Sequence, residues 1–168
     1  KYARLGRYVG KSKNIFKCPA DKYVSAVQRS RGWAERVRSI SGNIGIGDGN
    51  AESGPWDSLY KHIKKTTDFI YPGPAETWVF MDEHPCSIND AGFFNPSVSA
   101  WIDQPASYHN GAAGVSFADG HSEIKKWKDA RTYSGQMATT YLFRQDYTRL
   151  MVNNPDVAWV QERSRAKY

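Results

Sequence analysis

The most informative part of the sequence runs Gly114-Val115-Ser116-Phe117-Ala118-Asp119-Gly120-His121-Ser122-Glu123-Ile124-Lys125-Lys126-Trp127. Apolar and polar residues alternate on both sides of an Asp-Gly pair. This pattern is the strong short-range signal for a β-hairpin closed by a two-residue type I′ turn. The sequence therefore predicts two antiparallel strands joined at Asp119-Gly120.

Counting outward from this turn sets the expected register of the hairpin. The predicted pairs are Ala118 with His121, Phe117 with Ser122, and Val115 with Ile124. Because alternate residues of a strand share a face, we expect one buried face carrying Val115, Phe117 and Ile124. The expected opposite face carries Ser116, His121 and Glu123.

Three further segments carry local signals. The β-branched and aromatic run Thr77–Met81 predicts a buried strand that delivers Asp82-Glu83-His84 at its end. Residues 22–30 alternate loosely and suggest another strand. Asn154-Pro155-Asp156 supplies a helix N-cap, a proline at the first helical position and an acidic first turn, so a short helix is predicted through about Arg163.

Composition limits the classes of protein to be considered. The 168 residues fit one domain spanning 1–168, and 14 Gly, 8 Pro, 6 Trp and 10 Tyr favour many turns around an aromatic β core. The net charge of +6 is spread along the chain, so the charge pattern does not predict a nucleic-acid partner. No stretch reaches the roughly 18 apolar residues of a membrane span.

The region around this hairpin resembles a family signature. His109-Asn110-Gly111 is followed by Asp119-Gly120-His121, with nine residues between His109 and Asp119. This spacing is similar to that of the bacterial prepilin-type proteins named for their H-X9-DG motif. The agreement extends to Phe16–Asp21, Arg38–Asn43, Trp78–Pro85 and Asn154–Trp159, so the matching stretches are spread along nearly the whole chain.

The resemblance implies an α+β fold: a pilin-like head with a central antiparallel β-sheet, long loops and a short C-terminal helix. It implies a structural subunit of a pilus-like or pseudopilus-like filament, without catalysis. The expected partners are other copies, related pilin-like subunits and the secretion or pilus assembly machinery. The expected location is extracytoplasmic, in the cell envelope or at the cell surface.

The chain departs from the family pattern at its front. It starts at Lys1 in mid-pattern, so we expect a fragment or processed form whose upstream prepilin segment and apolar helix lie outside this sequence. Contact with a membrane is expected only through that helix. Cys86 is not expected from the family pattern. Two cysteines are too few for a disulfide scaffold, although Cys18 and Cys86 could pair in an oxidising compartment.

The candidate site residues leave several interpretations open. His109 and Asp119 could build two separate turns, share a metal ion, or act as a catalytic pair. Asp82, Glu83, Asn89 and Asp90 offer oxygen ligands near a loop, so a structural calcium is a second hypothesis, against ion pairs at a strand end. No cofactor is required by the sequence.

Two other functions remain as alternatives. A surface module for extracellular glycan or DNA could use Trp33, Trp56, Trp101 and Trp127 as a stacking platform, although core or interface burial is more usual for tryptophan. An envelope hydrolase could use His109, Asp119 or Asp82. The sequence contains none of the G-x-S-x-G, H-E-x-x-H or paired zinc-ligand patterns.

Overall fold

The computed structural model describes residues 4–10, 12, 14–47, 60–93, 99–133, 149–164 and 166–167. The α-helices are α1 (Ala26–Ser30), α2 (Ala130–Tyr133) and α3 (Pro155–Glu162), with 3-10 turns at Arg4–Arg7, Asn14–Phe16 and Thr66–Asp68. The strands are β1 (Ile40–Asn43), β2 (Tyr60–Lys61), β3 (Trp78–Asp82), β4 (Gly92–Phe93), β5 (Ala100–Trp101), β6 (Ala112–Phe117), β7 (Ser122–Lys126), β8 (Arg149–Leu150) and β9 (Ala166–Lys167). None of these helices is long and apolar enough to cross a bilayer.

Five of the described strands form one sheet in the order β4-β1-β3-β6-β7. The neighbours β1–β3, β3–β6 and β6–β7 are antiparallel, whereas β4 pairs with β1 in parallel. The fold is therefore α+β, and the sheet is mixed, not wholly antiparallel as expected. β4 runs antiparallel to β3, the strand that precedes it in the chain. Because β1 is also antiparallel to β3, β4 is parallel to β1 when it is added beside β1 at the edge of the sheet.

The predicted hairpin is present, but its turn contains three residues. The N–H of Gly120 donates to the carbonyl oxygen of Phe117 at 3.0 Å, and the N–H of Phe117 donates to that of His121 at 2.9 Å. Gly120 has a φ of +96°. A type I turn followed by a glycine in the left-handed region is the usual three-residue hairpin loop.

The extra loop residue shifts the register by one position. Ser116 pairs with Ser122, Val115 with Glu123 and Gly114 with Ile124. Val115 and Phe117 are buried as predicted, but Ile124 is 60% exposed. The predicted burial of Ile124 is therefore wrong, because a slip of one residue moves every side chain of a strand to the other face.

The predicted placement of His121 and Glu123 is wrong for the same reason. His121 stacks on Phe117, with ring centroids 4.3 Å apart and planes 4° from parallel. Glu123 lies opposite the buried Val115 at the sheet edge. Both residues therefore lie on the same side of the hairpin as the buried Val115 and Phe117.

The core fills one face of the sheet, called here the covered face. Its members are large apolar side chains of β3, β4, β5 and β6, with Trp127, Met151 and the inner side of α3: Trp78, Met81, Phe93, Trp101, Ala113, Val115, Phe117, Trp127, Met151, Val157 and Val160. The predicted C-terminal helix is confirmed, since the Asn154 side chain accepts from the N–H groups of Asp156 and Val157. Burial of this apolar stripe is the main stabilising contribution.

The expected strand over residues 22–30 is wrong. Ser25 and Gln28 form a capping box, in which the Ser25 hydroxyl accepts from the Gln28 N–H and the Gln28 side chain accepts from the Ser25 N–H. This arrangement starts the short helix α1. The Ser-x-x-Gln pattern was the sequence signal for it.

Candidate functional site

The first half of the signature builds a tight turn before β6. Asn110 and Gly111 have φ values of +54° and +77°, and the N–H of His109 donates to the Ala112 carbonyl at 3.1 Å. Two consecutive positive φ values are the requirement of a type I′ turn, which Asn-Gly meets at low cost. A two-residue turn of the type predicted at Asp119-Gly120 is therefore found at Asn110-Gly111, at the other end of β6.

His109 leaves this turn toward two side chains that are distant in sequence. Its Nε2 atom lies 3.4 Å from the Cys18 Sγ atom and 3.5 Å from the Asp82 Oδ2 atom. The same Asp82 oxygen accepts from the Gly114 N–H at 2.8 Å. Cys18 and Asp82 are buried, and burial raises the pKa of both the thiol and the carboxyl group.

The second half of the signature is exposed and local. The Asp119 Oδ1 atom lies 2.6 Å from the His121 Nδ1 atom and accepts from the His121 N–H at 3.1 Å. These hydrogen bonds, the backbone one first, hold the pKa of Asp119 below its usual range. Asp119 and His121 therefore stabilise the hairpin loop.

His109 and Asp119 lie beyond opposite ends of β6, and each has other partners. The structure therefore does not bring them together as a shared metal site or a catalytic pair. It places one turn at each end of the strand, as the two-turn interpretation expects. The signature brackets a central strand of the sheet.

The four residues of the calcium hypothesis also have separate hydrogen-bond partners. Asp82 faces His109 and Gly114, whereas Glu83 accepts from the hydroxyls of Ser41 and Ser87. Asn89 accepts from the Asp90 N–H, and Asp90 from the Gly92 N–H. Consecutive residues of β3 and its continuation point in different directions, so Asp82, Glu83, Asn89 and Asp90 do not form one ligand shell.

A buried polar layer lies beside the end of β3. Arg36 pairs with Asp21 at 2.5 Å and donates to the Tyr108 hydroxyl at 3.3 Å. Burial, with the Asp103 carboxylate, raises the pKa of Glu83. Burial, with the Arg36 charge, lowers the pKa of His84 to about 4, so that its imidazole is neutral at pH 7.

The two cysteines remain separate thiols, so the Cys18–Cys86 disulfide considered from the sequence is not formed. Each thiol lies beside a different histidine. Cys18 Sγ contacts His109, and Cys86 Sγ lies 2.9 Å from the Nδ1 atom of His84. Because the two cysteines are not bonded to each other, they give no argument for an oxidising compartment.

The sheet face opposite the core, called here the open face, exposes apolar side chains. Phe80 is 42% and Ile124 is 60% exposed. Together with Ile40 they border a shallow groove of about 300 Å³ whose floor includes Gly114 and Ser116. Sequence reasoning missed this face because a β-bulge between Trp78 and Phe80 and the slipped hairpin register determine it.

The tryptophans divide between core and surface. Trp101 and Trp127 are buried and contact each other edge to face, with centroids 6.3 Å apart. Trp33 is half exposed, and Trp56 lies outside the described residues. Two members of the suggested glycan platform are thus core residues, in agreement with the burial interpretation.

Comparison with known proteins does not assign the chain to a family. No protein-family model, curated protein or solved structure matches it. The case for a function therefore depends on the residues and on their geometry.

Proposed function

We propose that this domain is the head of a pilus-like or pseudopilus-like filament subunit, and that its open face receives the apolar helix of such a subunit. The observation that carries the proposal is the exposure of Phe80 and Ile124 on a sheet whose other face is fully covered. An antiparallel sheet commonly leaves one face to solvent, but that face is then polar, and an apolar face is normally buried against another element. The open face lacks such a cover among the described residues.

The shape of the open face suits a helix. Gly42 and Gly114 lie between the larger side chains, and a Cβ atom at Gly42 would stand 3.5 Å from the Phe80 ring. Small residues allow close backbone approach, while Phe80 and Ile124 supply apolar contacts on either side. A helix laid along the groove would cover both side chains.

The H-X9-DG resemblance supplies the identity of this helix. In that family an apolar helix precedes the head, joins subunits into a filament and anchors them in the membrane before assembly. The proposed partners are therefore other copies or related pilin-like subunits and the assembly machinery, in an extracytoplasmic setting. The role requires no bond chemistry.

The signature contributes to this role by holding β6. Its Asn110-Gly111 turn begins the strand and its Asp119-Gly120 loop ends it, and β6 carries Gly114 and Ser116 on the floor of the groove. A fixed β6 keeps the apolar residues of β3 and β7 at a constant separation. The signature is thus a positioning element in this proposal.

The test compares filament recovery from cells that express the natural gene. The variant Phe80→Lys/Ile124→Lys places two charges on the open face. The control Val37→Lys/Ile70→Lys changes two residues of similar or greater exposure, 68% and 83%, on other surfaces. Sheared cell-surface fractions are measured by immunoblot and electron microscopy.

We expect the control to leave filament recovery unchanged and the open-face variant to lose at least about tenfold, because burying two lysines without partners opposes docking. Circular dichroism of the purified heads checks that both variants fold. Equal recovery from both variants would contradict the proposal.

A further inference from the structure

Three side chains from separate parts of the chain converge beside the sheet. A Cys18 sulfur, an Asp82 carboxylate oxygen and a His109 ring nitrogen all lie within 4.8 Å of one another. Cys18 and His109 are 91 residues apart in sequence. Among the described residues, this is the group of three or more such side chains with the spacing of a metal site.

The orientation of the imidazole distinguishes a metal site from an acid–base relay. In a relay of nucleophile, histidine and carboxylate, the two partners hydrogen-bond to different ring nitrogens. Here both the thiol and the carboxylate face the same atom, His109 Nε2. Three ligand atoms gathered within 4.8 Å of one another, with two of them beside the same ring nitrogen, are compatible with a shared cation.

The distances agree with tetrahedral coordination. Bonds of about 2.0–2.1 Å from zinc to nitrogen or oxygen and about 2.3 Å to sulfur place neighbouring ligand atoms about 3.3–3.6 Å apart. The observed separations are 3.4 Å for Sγ to Nε2 and 3.5 Å for Oδ2 to Nε2. The third separation, from Sγ to Oδ2, lies within 4.8 Å, so any adjustment on metal binding falls mainly on this pair.

The donor set selects the type of ion. Thiolate, imidazole and carboxylate together suit zinc, whereas calcium and magnesium take oxygen ligands. The side chain of His109 is 33% exposed, while that of Asp82 is 6% exposed. The histidine side therefore leaves room for a fourth ligand from solvent.

Neighbouring hydrogen bonds hold two of the ligands in place. The Gly114 N–H donates to Asp82, and the Cys18 N–H donates to the Ser39 hydroxyl at 2.7 Å. Such outer partners orient metal ligands and strengthen binding. The Asn110-Gly111 turn fixes the backbone of His109.

We propose that Cys18, Asp82 and His109 bind a zinc ion. This ion would join residues 14–25 before α1, called here the lead-in segment, to the end of β3 and the start of the signature. Asp82 also lines the open-face groove, but the zinc proposal does not rest on the proposed filament function. Its consequence is structural, since one ion links three segments that are distant in sequence and thereby restricts their separation on unfolding.

The experiment uses the purified 1–168 chain, freed of metal with a chelator and kept reduced. Zinc is titrated by calorimetry in competition with a chromophoric chelator, and cobalt(II) is used as a spectroscopic probe of thiolate ligation. The variants are Cys18→Ser and His109→Gln. The matched control is Cys86→Ser, which removes the other buried thiol and leaves Cys18 present.

We expect wild type and Cys86→Ser to bind one zinc ion, to show a thiolate-to-cobalt charge-transfer band, and to gain in melting temperature with zinc. Cys18→Ser should lose the band, and both site variants should bind at least about tenfold more weakly. His109→Gln keeps the result interpretable if Cys18→Ser misfolds, because His109 is partly exposed. No stoichiometric zinc binding by wild type, or loss of the cobalt band in Cys86→Ser, would overturn the proposal.

Discussion

The two faces of the sheet contain similar residues in different environments. Met81 is fully buried on the covered face, whereas its neighbour in β3, Phe80, is 42% exposed on the open face. In the hairpin, Val115 is 2% exposed and Ile124 is 60% exposed. Apolar character alone therefore does not show which face a residue occupies. The covered face stabilises the domain, and the open face is the surface that we propose for helix docking.

The first prediction compares Met81→Ala with Phe80→Ala in the purified domain. Met81→Ala should lower the free energy of unfolding by about 2–5 kcal/mol, because it leaves a cavity in a packed core. Phe80→Ala should cost about 1 kcal/mol or less, because much of its ring already contacts water. Urea unfolding followed by circular dichroism measures both. Similar losses would mean that the two faces are equally buried.

The second prediction tests the register of the hairpin. Val115→Ala should lower the free energy of unfolding by about 2 kcal/mol, since it removes two buried carbon groups. Ile124→Ala should change it by about 0.5 kcal/mol or less. The same unfolding measurement applies. A greater loss for Ile124→Ala than for Val115→Ala would restore the two-residue turn and place Ile124 in the core.

The third prediction concerns the loop itself. Gly120 has a φ of +96° with no neighbouring atom within 4 Å of an added Cβ, so Gly120→Ala should cost about 1 kcal/mol through backbone strain alone. Gly73→Ala is the control, because Gly73 has equal space without a positive φ. If the two variants have the same melting temperature, the left-handed conformation of Gly120 is not required.

The smallest expected effect is a titration at the hairpin tip. Asp119 should titrate below its ordinary value of 3.8, because the His121 N–H and then the His121 ring favour its ionised form. A lowered pKa in the folded state gives stability that is present above the unfolded pKa and is lost as the pH falls through the folded one. Carbon-13 NMR of the carboxyl group measures this value.

His121→Ala should raise the pKa of Asp119 only in part, since the backbone N–H remains. The Cys86→Ser variant provides a control that leaves the loop intact. A pKa of Asp119 at or above 3.8 in the wild type would contradict the hydrogen bonds described for the loop.

The sequence predicted the elements that depend on local signals. The strand before Asp82, the hairpin and the C-terminal helix were all found, because alternation, an Asp-Gly pair and an Asn-Pro-Asp cap are encoded within a few residues. The hairpin register failed because Asp-Gly also fits the last two positions of a three-residue loop. Here a single extra residue reversed the orientation of β7 side chains.

The candidate site was less predictable, because it depends on contacts between distant segments. Cys18 meets His109 only after the lead-in segment packs against the sheet, and Asp82 joins them from the end of β3. The sequence suggested Asp119 as a partner of His109 and Cys86 as a partner of Cys18. Asp119 instead hydrogen-bonds to His121, and Cys86 lies beside His84. The β-bulge that turns Phe80 outward likewise has no clear local signature.

Helix docking on the open face is tested by placing a photo-crosslinking phenylalanine analogue at position 80 in the natural gene product and irradiating intact cells. The control position is Tyr71, an aromatic residue that is 66% exposed on another surface. Mass spectrometry identifies the crosslinked peptides. We predict that position 80 captures an apolar helical segment of a filament subunit and that position 71 does not. If position 80 yields no more of that product than position 71, the open face is not a helix-docking surface.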